Sequence, residues 1–186
     1  GWRVNSIFDC MDIIYGIPLS TALFTENDGI PVIRIRDILS NTISARTTEK
    51  IDNKYLSKKK DLLIGMDGNF HMSFWSNDGD CINQRIVRIR ENDNDKVSVL
   101  QIYFEIEPYI RAKEKNVAKS TVGHLSDKDL KQLRILVPSY KKIYVFFDKI
   151  ITQICNNKAE NKELANFRDF LLPHLKNGQV RYRELA

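Results

Sequence analysis

Apolar residues recur at alternating steps of four and three along the last part of the chain, from about residue 141 to residue 175. This spacing is typical of a long helix that lies against another long helix. The stripe is apolar at both ends and polar in its middle, and its members are Ile143, Phe147, Ile150, Ile154, Asn157, Asn161, Leu164, Arg168, Leu171 and Leu175. The remaining faces of the helix carry mainly Lys, Glu, Asn and Asp, which suit water.

A helix of this length on a small domain would extend past the domain's own core. We therefore predict that much of the stripe packs on a partner helix, with Ile143, Phe147, Ile150, Ile154, Asn157, Asn161, Leu164 and Leu171 as the dimerisation residues. The alternative interpretation is a terminal helix that folds back on its own domain.

The preceding chain contains segments typical of strands. Residues 30–38 are rich in β-branched side chains, and alternation places Ile33 and Ile35 on one face with Arg34 and Arg36 on the other. Residues 61–66, 70–75 and 81–90 are separated by turns rich in Asp, Asn and Gly, which tolerate the backbone angles of tight turns. This order predicts an antiparallel meander.

Helical signals are interspersed with these strands. Residues 97–110 carry apolar side chains at helical steps, and Pro108 is expected to limit this helix, although the same residues also fit a strand. Ser126 and Asp129 resemble a capping box that opens a short helix, and residues 134–137 predict a short strand. The pattern therefore indicates an α+β fold: a small mixed, largely antiparallel-sheet domain over residues 1–139, followed by a long C-terminal helix and tail over residues 140–186 that forms a coiled-coil-type pairing.

Composition indicates which class of partner and which cellular compartment suit the chain. The chain has 186 residues, of which 42% are hydrophobic, and its net charge of +5 permits a polyanionic partner. Its cysteines, Cys10, Cys81 and Cys155, lie far apart, which argues against a disulfide framework or a zinc site and favours a reducing compartment. No apolar run approaches the length of a membrane span, and the start of the sequence does not resemble a signal peptide. We therefore expect a cytoplasmic protein without a membrane partner.

Residues for a reaction are not evident. The sequence has no Gly-rich phosphate loop, and His71, His124 and His174 lack neighbours at metal-ligand spacing. Glu105 and Glu107 could share a strand face as paired carboxylates, but no basic residue at nuclease-like spacing supports them. We expect no catalytic residues and no metal.

Polar turns provide a different chemistry. Asn and Gln side chains pair with adenine in the major groove of DNA, and Arg pairs with guanine. Asn83, Gln84 and Arg85 form the sharpest cluster of these residue types. The alternative interpretation is a strand start whose polar residues close a turn. Arg34 and Arg36, like the run Lys58, Lys59 and Lys60, fit either phosphate contacts or a solvated surface.

The order of several segments resembles the target recognition domain of type I restriction–modification specificity subunits. The segments are GIPVIRIRDI at 29–38, DLLIGMDGN at 61–69, CINQR at 81–85, STVGHL at 120–125 and LRILVP at 133–138. Leu164, FRD at 167–169, LLPHL at 171–175 and GQV at 178–180 resemble the family's conserved-region helix and its exit. The resemblance covers nearly the whole chain.

The resemblance implies a fold and partners. In that family a complete subunit holds two recognition domains, each reading half of a split target, separated by two long antiparallel helices. This chain has one domain and one helix, so it resembles half a subunit, either a fragment or a half-subunit that pairs with a copy of itself. The family's methylation subunits dock on such domains and helices, and restriction subunits join them. Cofactors belong to those subunits, so the resemblance implies none for this chain.

The leading hypothesis is a non-catalytic specificity module that binds double-stranded DNA and directs methylation and restriction subunits to it. A stand-alone metal-dependent nuclease and a protein-only adaptor that uses the C-terminal helix are the alternatives. The candidate DNA-binding residues are Arg34, Arg36, Lys58, Lys59, Lys60, Gly68, Asn69, Asn83, Gln84, Arg85, Ser120 and His124.

Overall fold

The computed structural model describes residues 1–92, 97–117, 123–139 and 141–179. Strands and helices alternate irregularly along the chain, as expected for an α+β fold. The strands are β1 (Trp2–Ser6), β2 (Met11–Tyr15), β3 (Phe24–Thr25), β4 (Ile30–Ile33), β5 (Arg46–Thr47), β6 (Leu62–Gly65), β7 (Met72–Phe74), β8 (Cys81–Ile82), β9 (Ile86–Glu91) and β10 (Arg134–Pro138). The α-helices are α1 (Ile7–Cys10), α2 (Val99–Val117), α3 (Asp127–Lys131) and α4 (Lys141–Lys176), and short 3-10 turns lie at Thr21–Leu23, Ile35–Asp37 and Asn53–Tyr55.

The central sheet has the order β2-β9-β6-β7 and is antiparallel throughout. A second sheet has the order β3-β5-β4-β8, in which β4 and β8 are parallel, and β1 pairs antiparallel with β10. The α+β class, with largely antiparallel sheets and a long C-terminal helix, is confirmed.

Hydrophobic side chains pack on both faces of the central sheet. On one face Leu62 and Ile64 of β6 join a core that also receives apolar residues of α2, β10 and the start of α4. On the other face Leu63 packs with Trp75 and Ile86 in a smaller cluster. Because successive strand residues point to opposite faces, the unbroken apolar run of β6 is typical of a strand buried on both sides.

The predicted meander is wrong in its strand order. β9 pairs with β6 rather than with β7, so β6 lies between its two neighbours. β7 is contacted instead by α4, where Lys158 Nζ donates a hydrogen bond to the Phe74 carbonyl oxygen at 3.0 Å.

The predicted strands 30–38 and 81–90 are each interrupted. β4 ends at Ile33, and Asp37 stabilises the following 3-10 turn by accepting a hydrogen bond from the Arg34 N–H at 2.9 Å. The second segment divides into β8, which pairs with β4, and β9, which joins the central sheet. Residues 83–85 therefore form the corner where the chain passes from one sheet to the other.

Helix α2 continues through Pro108 to Val117, so the predicted limit at this proline is wrong. Proline removes a backbone donor, which leaves the carbonyl of Phe104, four residues earlier, without its helical hydrogen bond. Phe104 and Pro108 are both exposed, so water can solvate this carbonyl. The short helix α3 begins as expected, with Ser126 and Asp129 forming a capping box.

The first half of α4 packs on its own domain. Ile151 and Cys155 are fully buried in the main core, and Phe147, Ile150 and Ile154 are half-buried against it. The buried face is therefore shifted by one residue from the predicted stripe, and the fold-back alternative describes this half of the helix.

The distal half of α4 carries exposed apolar side chains. These are Leu164, Phe167, Phe170, Leu172 and Leu175. With 36 residues, α4 is about 54 Å long, and its distal half extends beyond the buried segment.

Candidate nucleic-acid interface

Three segments meet at the C-terminal end of β6, and we call them the loop cluster: residues 66–71, 83–85 and 123–125. The Met66 N–H donates to the Arg85 carbonyl oxygen at 2.8 Å, and the Leu125 N–H donates to the Met66 carbonyl oxygen at 2.8 Å. The Gly68 N–H donates to the Gly123 carbonyl oxygen at 3.0 Å. Backbone hydrogen bonds therefore fix how these segments lie relative to one another.

The corner at residues 83–85 rests on a close backbone contact. The Gln84 N–H donates to the Ile17 carbonyl oxygen at 2.7 Å. A Cβ atom on Gly16 would lie 2.0 Å from the Asn83 carbonyl oxygen, so only glycine permits this approach. Arg85 has φ 68°, a left-handed conformation that costs energy in a non-glycine residue and turns the chain sharply into β9.

Five of the twelve candidate DNA-binding residues line one open groove beside the loop cluster. The groove has a volume of about 440 Å³, and its lining residues are Arg34, Ile35, Arg36, His71, Asn83, Gln84 and Arg85. It combines guanidinium groups, which suit phosphate or guanine, with side-chain amides, which suit adenine. The structure thus brings together residues that are separated by about fifty positions in the chain.

The arginines of the groove differ in what they contact. Arg34 Nε donates to Ser44 Oγ at 3.0 Å and Nη2 to the Ser44 carbonyl oxygen at 2.6 Å, and Asp37 lies 3.8 Å from Nε. Arg34 therefore stabilises its own loop. Arg36 is exposed and Arg85 is more than half exposed, so both can reach a ligand.

The turn after β6 presents small and polar residues. Gly68 and Asn69 are exposed at its tip, and Gly68 has φ 69°, a conformation that glycine adopts readily. Asp67 precedes them, with Oδ1 at 2.7 Å from Nδ1 of His124 and Oδ2 at 3.5 Å from Nε of Arg85. The side chains of His124 and Arg85 therefore both contact the carboxylate of Asp67.

The lysine run lies at the opposite end of β6, away from the groove. Lys60 Nζ forms an ion pair with Asp148 at 2.6 Å, and Lys59 Nζ donates to Asn156 Oδ1 at 2.8 Å. Both partners belong to α4. Lys58 is exposed beside them. The sequence grouped these lysines with the arginines by charge, whereas the structure places Lys59 and Lys60 against the long helix.

Comparison with known proteins decides the family. The family model of the type I restriction modification DNA specificity domain matches residues 1–166. The chain belongs to this family. The match extends over both the sheet domain and the first part of α4, so the family assignment includes the loop cluster.

Two similar proteins are specificity subunits of type I restriction enzymes. This specificity domain is 29% identical, over 96% of its length, to the type I restriction enzyme EcoBI specificity subunit of Escherichia coli. It is 25% identical, over 97% of its length, to the HindI specificity subunit of Haemophilus influenzae. It covers 39% and 42% of these relatives, so the chain spans about two fifths of their length.

Solved structures share the fold. The specificity domain superposes with a TM-score of 0.61 and 19% identity on a chain from a study of complex assembly and conformational transition of the type I R-M system, covering 94% of this chain and 45% of that one. The HsdS subunit from Thermoanaerobacter tengcongensis gives a TM-score of 0.57 at 18% identity, with 97% and 46% covered.

Two residues of this specificity domain are absent from the candidates that the sequence provides. The sequence indicates a surface or hydrogen-bonding role for His71 and a turn at Asp67, whereas in the structure His71 lines the groove and Asp67 pairs with Arg85 and His124. Their position directly after a buried strand, within a Gly-containing turn, is the signal that could have indicated them. Ser120 lies outside the described residues.

The structure does not place Glu105 and Glu107 as a pair of carboxylates. Glu105 and Glu107 lie on helix α2 rather than on a strand, so residues two apart point in different directions. Glu105 Oε2 accepts a hydrogen bond from the Leu136 N–H of β10 at 2.8 Å. This carboxylate therefore covers the edge of a strand.

The part of the chain that the structure describes contains neither a cluster of metal-binding side chains nor a membrane-spanning helix. Within residues 1–92, 97–117, 123–139 and 141–179, no group of three His, Cys, Asp or Glu side chains could hold a metal ion. In the same part of the chain, no helix combines the length and apolarity needed to cross a membrane.

Proposed function

We propose that this chain is a DNA specificity module that reads one half of a split target in double-stranded DNA. The observation that carries the proposal is the groove at the loop cluster, which combines exposed arginines with side-chain amides in a member of a DNA specificity family. The named relatives are specificity subunits of type I restriction enzymes. The net charge of +5 supports a polyanionic ligand.

Within the groove the candidate residues divide by chemistry. Arg36 is exposed at its rim and suits a phosphate, which would position the domain without selecting sequence. Gln84 and Arg85 lie at the corner between the sheets, where a side-chain amide and a guanidinium can face base edges. Gly68, Asn69 and His124 lie on neighbouring segments of the loop cluster and would contact the same duplex.

The lysines have a different role in this proposal. Lys59 and Lys60 contact α4, so they would orient the long helix relative to the recognition domain rather than bind phosphate. Because the direction of a rigid helix sets where a second recognition domain lies, these contacts would contribute to the spacing between half-sites.

The distal half of α4 is proposed to pair with a second long helix, supplied by a copy of this chain or by another recognition half. Of the residues predicted to pair, Phe147, Ile150 and Ile154 pack on their own domain, whereas Leu164 is exposed. The pairing surface would therefore begin beyond this packed segment, over the exposed apolar side chains of the distal half.

The remaining partners follow from the family. As a specificity module in the cytoplasm, the chain would direct methylation and restriction subunits to the DNA that it binds, without catalysing either reaction. One of the solved relatives comes from a study of complex assembly in a type I system, which supports assembly with such subunits.

The test is a selection from a randomised duplex library with the purified chain, followed by titration of the enriched duplex and a shuffled duplex. Gln84→Ala should cost about 1–3 kcal/mol on the enriched duplex alone. Arg36→Ala should weaken binding to both duplexes and reduce the salt dependence.

Lys54→Ala is the matched control. Lys54 is exposed and pairs with Asp52, among residues that neighbour Lys58 rather than the groove. We expect little change on either duplex. Equal small losses for Gln84→Ala and Arg36→Ala on both duplexes would remove the groove from the interface, and Mg²⁺-dependent cleavage of DNA by the purified chain would favour a nuclease instead.

A further inference from the structure

Asp67 is a negatively charged residue on a surface where a DNA-binding protein is expected to carry positive charge. It is a half-buried acid at the centre of a surface proposed to face polyanionic DNA. Its two carboxylate oxygens face groups from two other segments, with Oδ1 at 2.7 Å from Nδ1 of His124 and Oδ2 at 3.5 Å from Nε of Arg85. One acid therefore connects two candidate DNA contacts.

Backbone hydrogen bonds hold the main chain around Asp67 in place. Asp67 forms an antiparallel bridge with His124, and the adjacent Gly68 N–H donates to the Gly123 carbonyl oxygen. On the other side, the Met66 N–H donates to the Arg85 carbonyl oxygen at 2.8 Å. The side-chain contacts of Asp67 therefore reinforce an arrangement that the backbone already holds.

We propose that Asp67 is a positioning residue that holds Arg85 and His124 in the orientation in which the loop cluster reads DNA; this rests on the function proposed above. A long Arg side chain loses rotamer freedom when it binds, and an ion pair that restricts it beforehand reduces that loss. The pair engages Nε of Arg85, and guanine recognition can use the terminal guanidinium nitrogens, so both contacts can coexist.

The sign of the effect separates positioning from simple electrostatics. Removing one negative charge from a DNA-binding surface strengthens binding to any duplex if electrostatics alone acts, because the phosphates are repelled less. Removing a positioning contact weakens binding to the specific duplex while binding to a shuffled duplex is unchanged or stronger. The two interpretations therefore predict opposite changes in affinity for the specific duplex.

The experiment measures the affinity of Asp67→Asn for a duplex enriched from a randomised library by the wild-type chain, and for a shuffled version of it. We expect a loss of roughly tenfold on the enriched duplex and no loss on the shuffled one. The matched control is Asp52→Asn, which removes the same charge at the opposite end of the domain. Asp52 caps a 3-10 turn, and Asn caps equally well, so we expect no loss on either duplex.

A second variant guards against a general loss of structure. Asp67→Glu keeps the carboxylate and should retain more discrimination between the two duplexes than Asp67→Asn. In a chain that already carries Arg85→Ala and His124→Ala, Asp67→Asn should cause no further loss of discrimination, because its partners are gone.

Several outcomes would overturn the inference. They are unchanged or tighter binding of the enriched duplex by Asp67→Asn, equal losses for the Glu and Asn variants, and a full further loss in the doubly substituted background. Failure of the wild-type chain to enrich any sequence is a separate outcome, since it would overturn the proposed function and this inference with it.

Discussion

The two halves of helix α4 should respond differently to truncation of a single apolar side chain. Ile151 lies in the first half and is 0% exposed, within the main core, whereas Leu164 lies in the distal half and is 57% exposed. Replacing a fully buried Ile with Ala removes its transfer free energy and leaves a cavity, which together cost about 2–5 kcal/mol. Substitutions at exposed positions typically change stability by less than about 0.5 kcal/mol.

Ile151→Ala should therefore lower the free energy of unfolding substantially, because a domain of ordinary size is stabilised by only about 5–15 kcal/mol. Leu164→Ala is the matched control, because it makes a similar truncation on the same helix. We expect almost no loss from Leu164→Ala in dilute solution, where the helix has no partner.

The assay is urea-induced unfolding followed by circular dichroism at a low and a high protein concentration. Ile151→Ala should lower the midpoint at both concentrations. If the distal helices pair, the wild-type midpoint rises with concentration, and Leu164→Ala should reduce that rise.

Two results of this assay would contradict these expectations. A loss from Leu164→Ala in dilute solution as large as that from Ile151→Ala would mean that the distal half also packs on the domain. A wild-type midpoint that does not change with concentration, together with a monomer in sedimentation, would refute pairing between copies of this chain.

Two further predictions concern the corner at residues 83–85 and the start of α3. Gly16→Ala should destabilise the fold by about 1–3 kcal/mol and reduce discrimination between duplexes, since the new Cβ would meet the Asn83 carbonyl oxygen at 2.0 Å; wild-type stability in this variant would contradict the close approach. Burial raises the pKa of Asp129, but hydrogen bonds from Lys113 and Ser126 outweigh this effect and hold the pKa at about 2. Stability from this carboxylate should therefore be present above about pH 4 and lost as the pH falls towards 2. In urea unfolding at several pH values, Asp129→Asn should be less stable than wild type near neutrality, with the difference disappearing below that window. A pH-independent difference would refute this assignment.

The residues proposed to contact DNA were partly predictable from the sequence. Asn83, Gln84 and Arg85 stand out by residue type alone, and the structure places them in the groove with Arg34 and Arg36. The lysines could not be separated from these arginines in the same way, because charge along a sequence does not indicate which charged groups meet inside the fold. Lys59 and Lys60 contact α4, about ninety residues away in the chain.

The burial of the charged residue Arg88 could not be predicted from the sequence pattern either. Arg88 lies on β9 between two apolar neighbours and is fully buried, with Nη2 at 2.8 Å from Asp12 Oδ2. Alternation along a strand predicts two faces, but it does not say that both faces are covered. That depends on the second sheet, whose strands come from distant parts of the chain.

The sequence by itself determined the features that depend on neighbours within one or two turns of the backbone. The period of α4, the capping box at Ser126 and the β-branched content of the strands are of this kind, because hydrogen bonds and side-chain spacing within a short segment are sufficient for them. The family resemblance also followed from the sequence, since it rests on the order of short segments.

Only the tertiary structure decided which strand lies beside which, which half of α4 is covered, and that Asp67 meets Arg85 and His124. Each of these depends on contacts between residues far apart in the chain, and the same local pattern is compatible with several such arrangements. β9 could have paired with β7, as in a meander, or with β6; the structure pairs it with β6, and Lys158 of α4 contacts β7 instead. Long-range packing makes that choice, and it also assembles the groove.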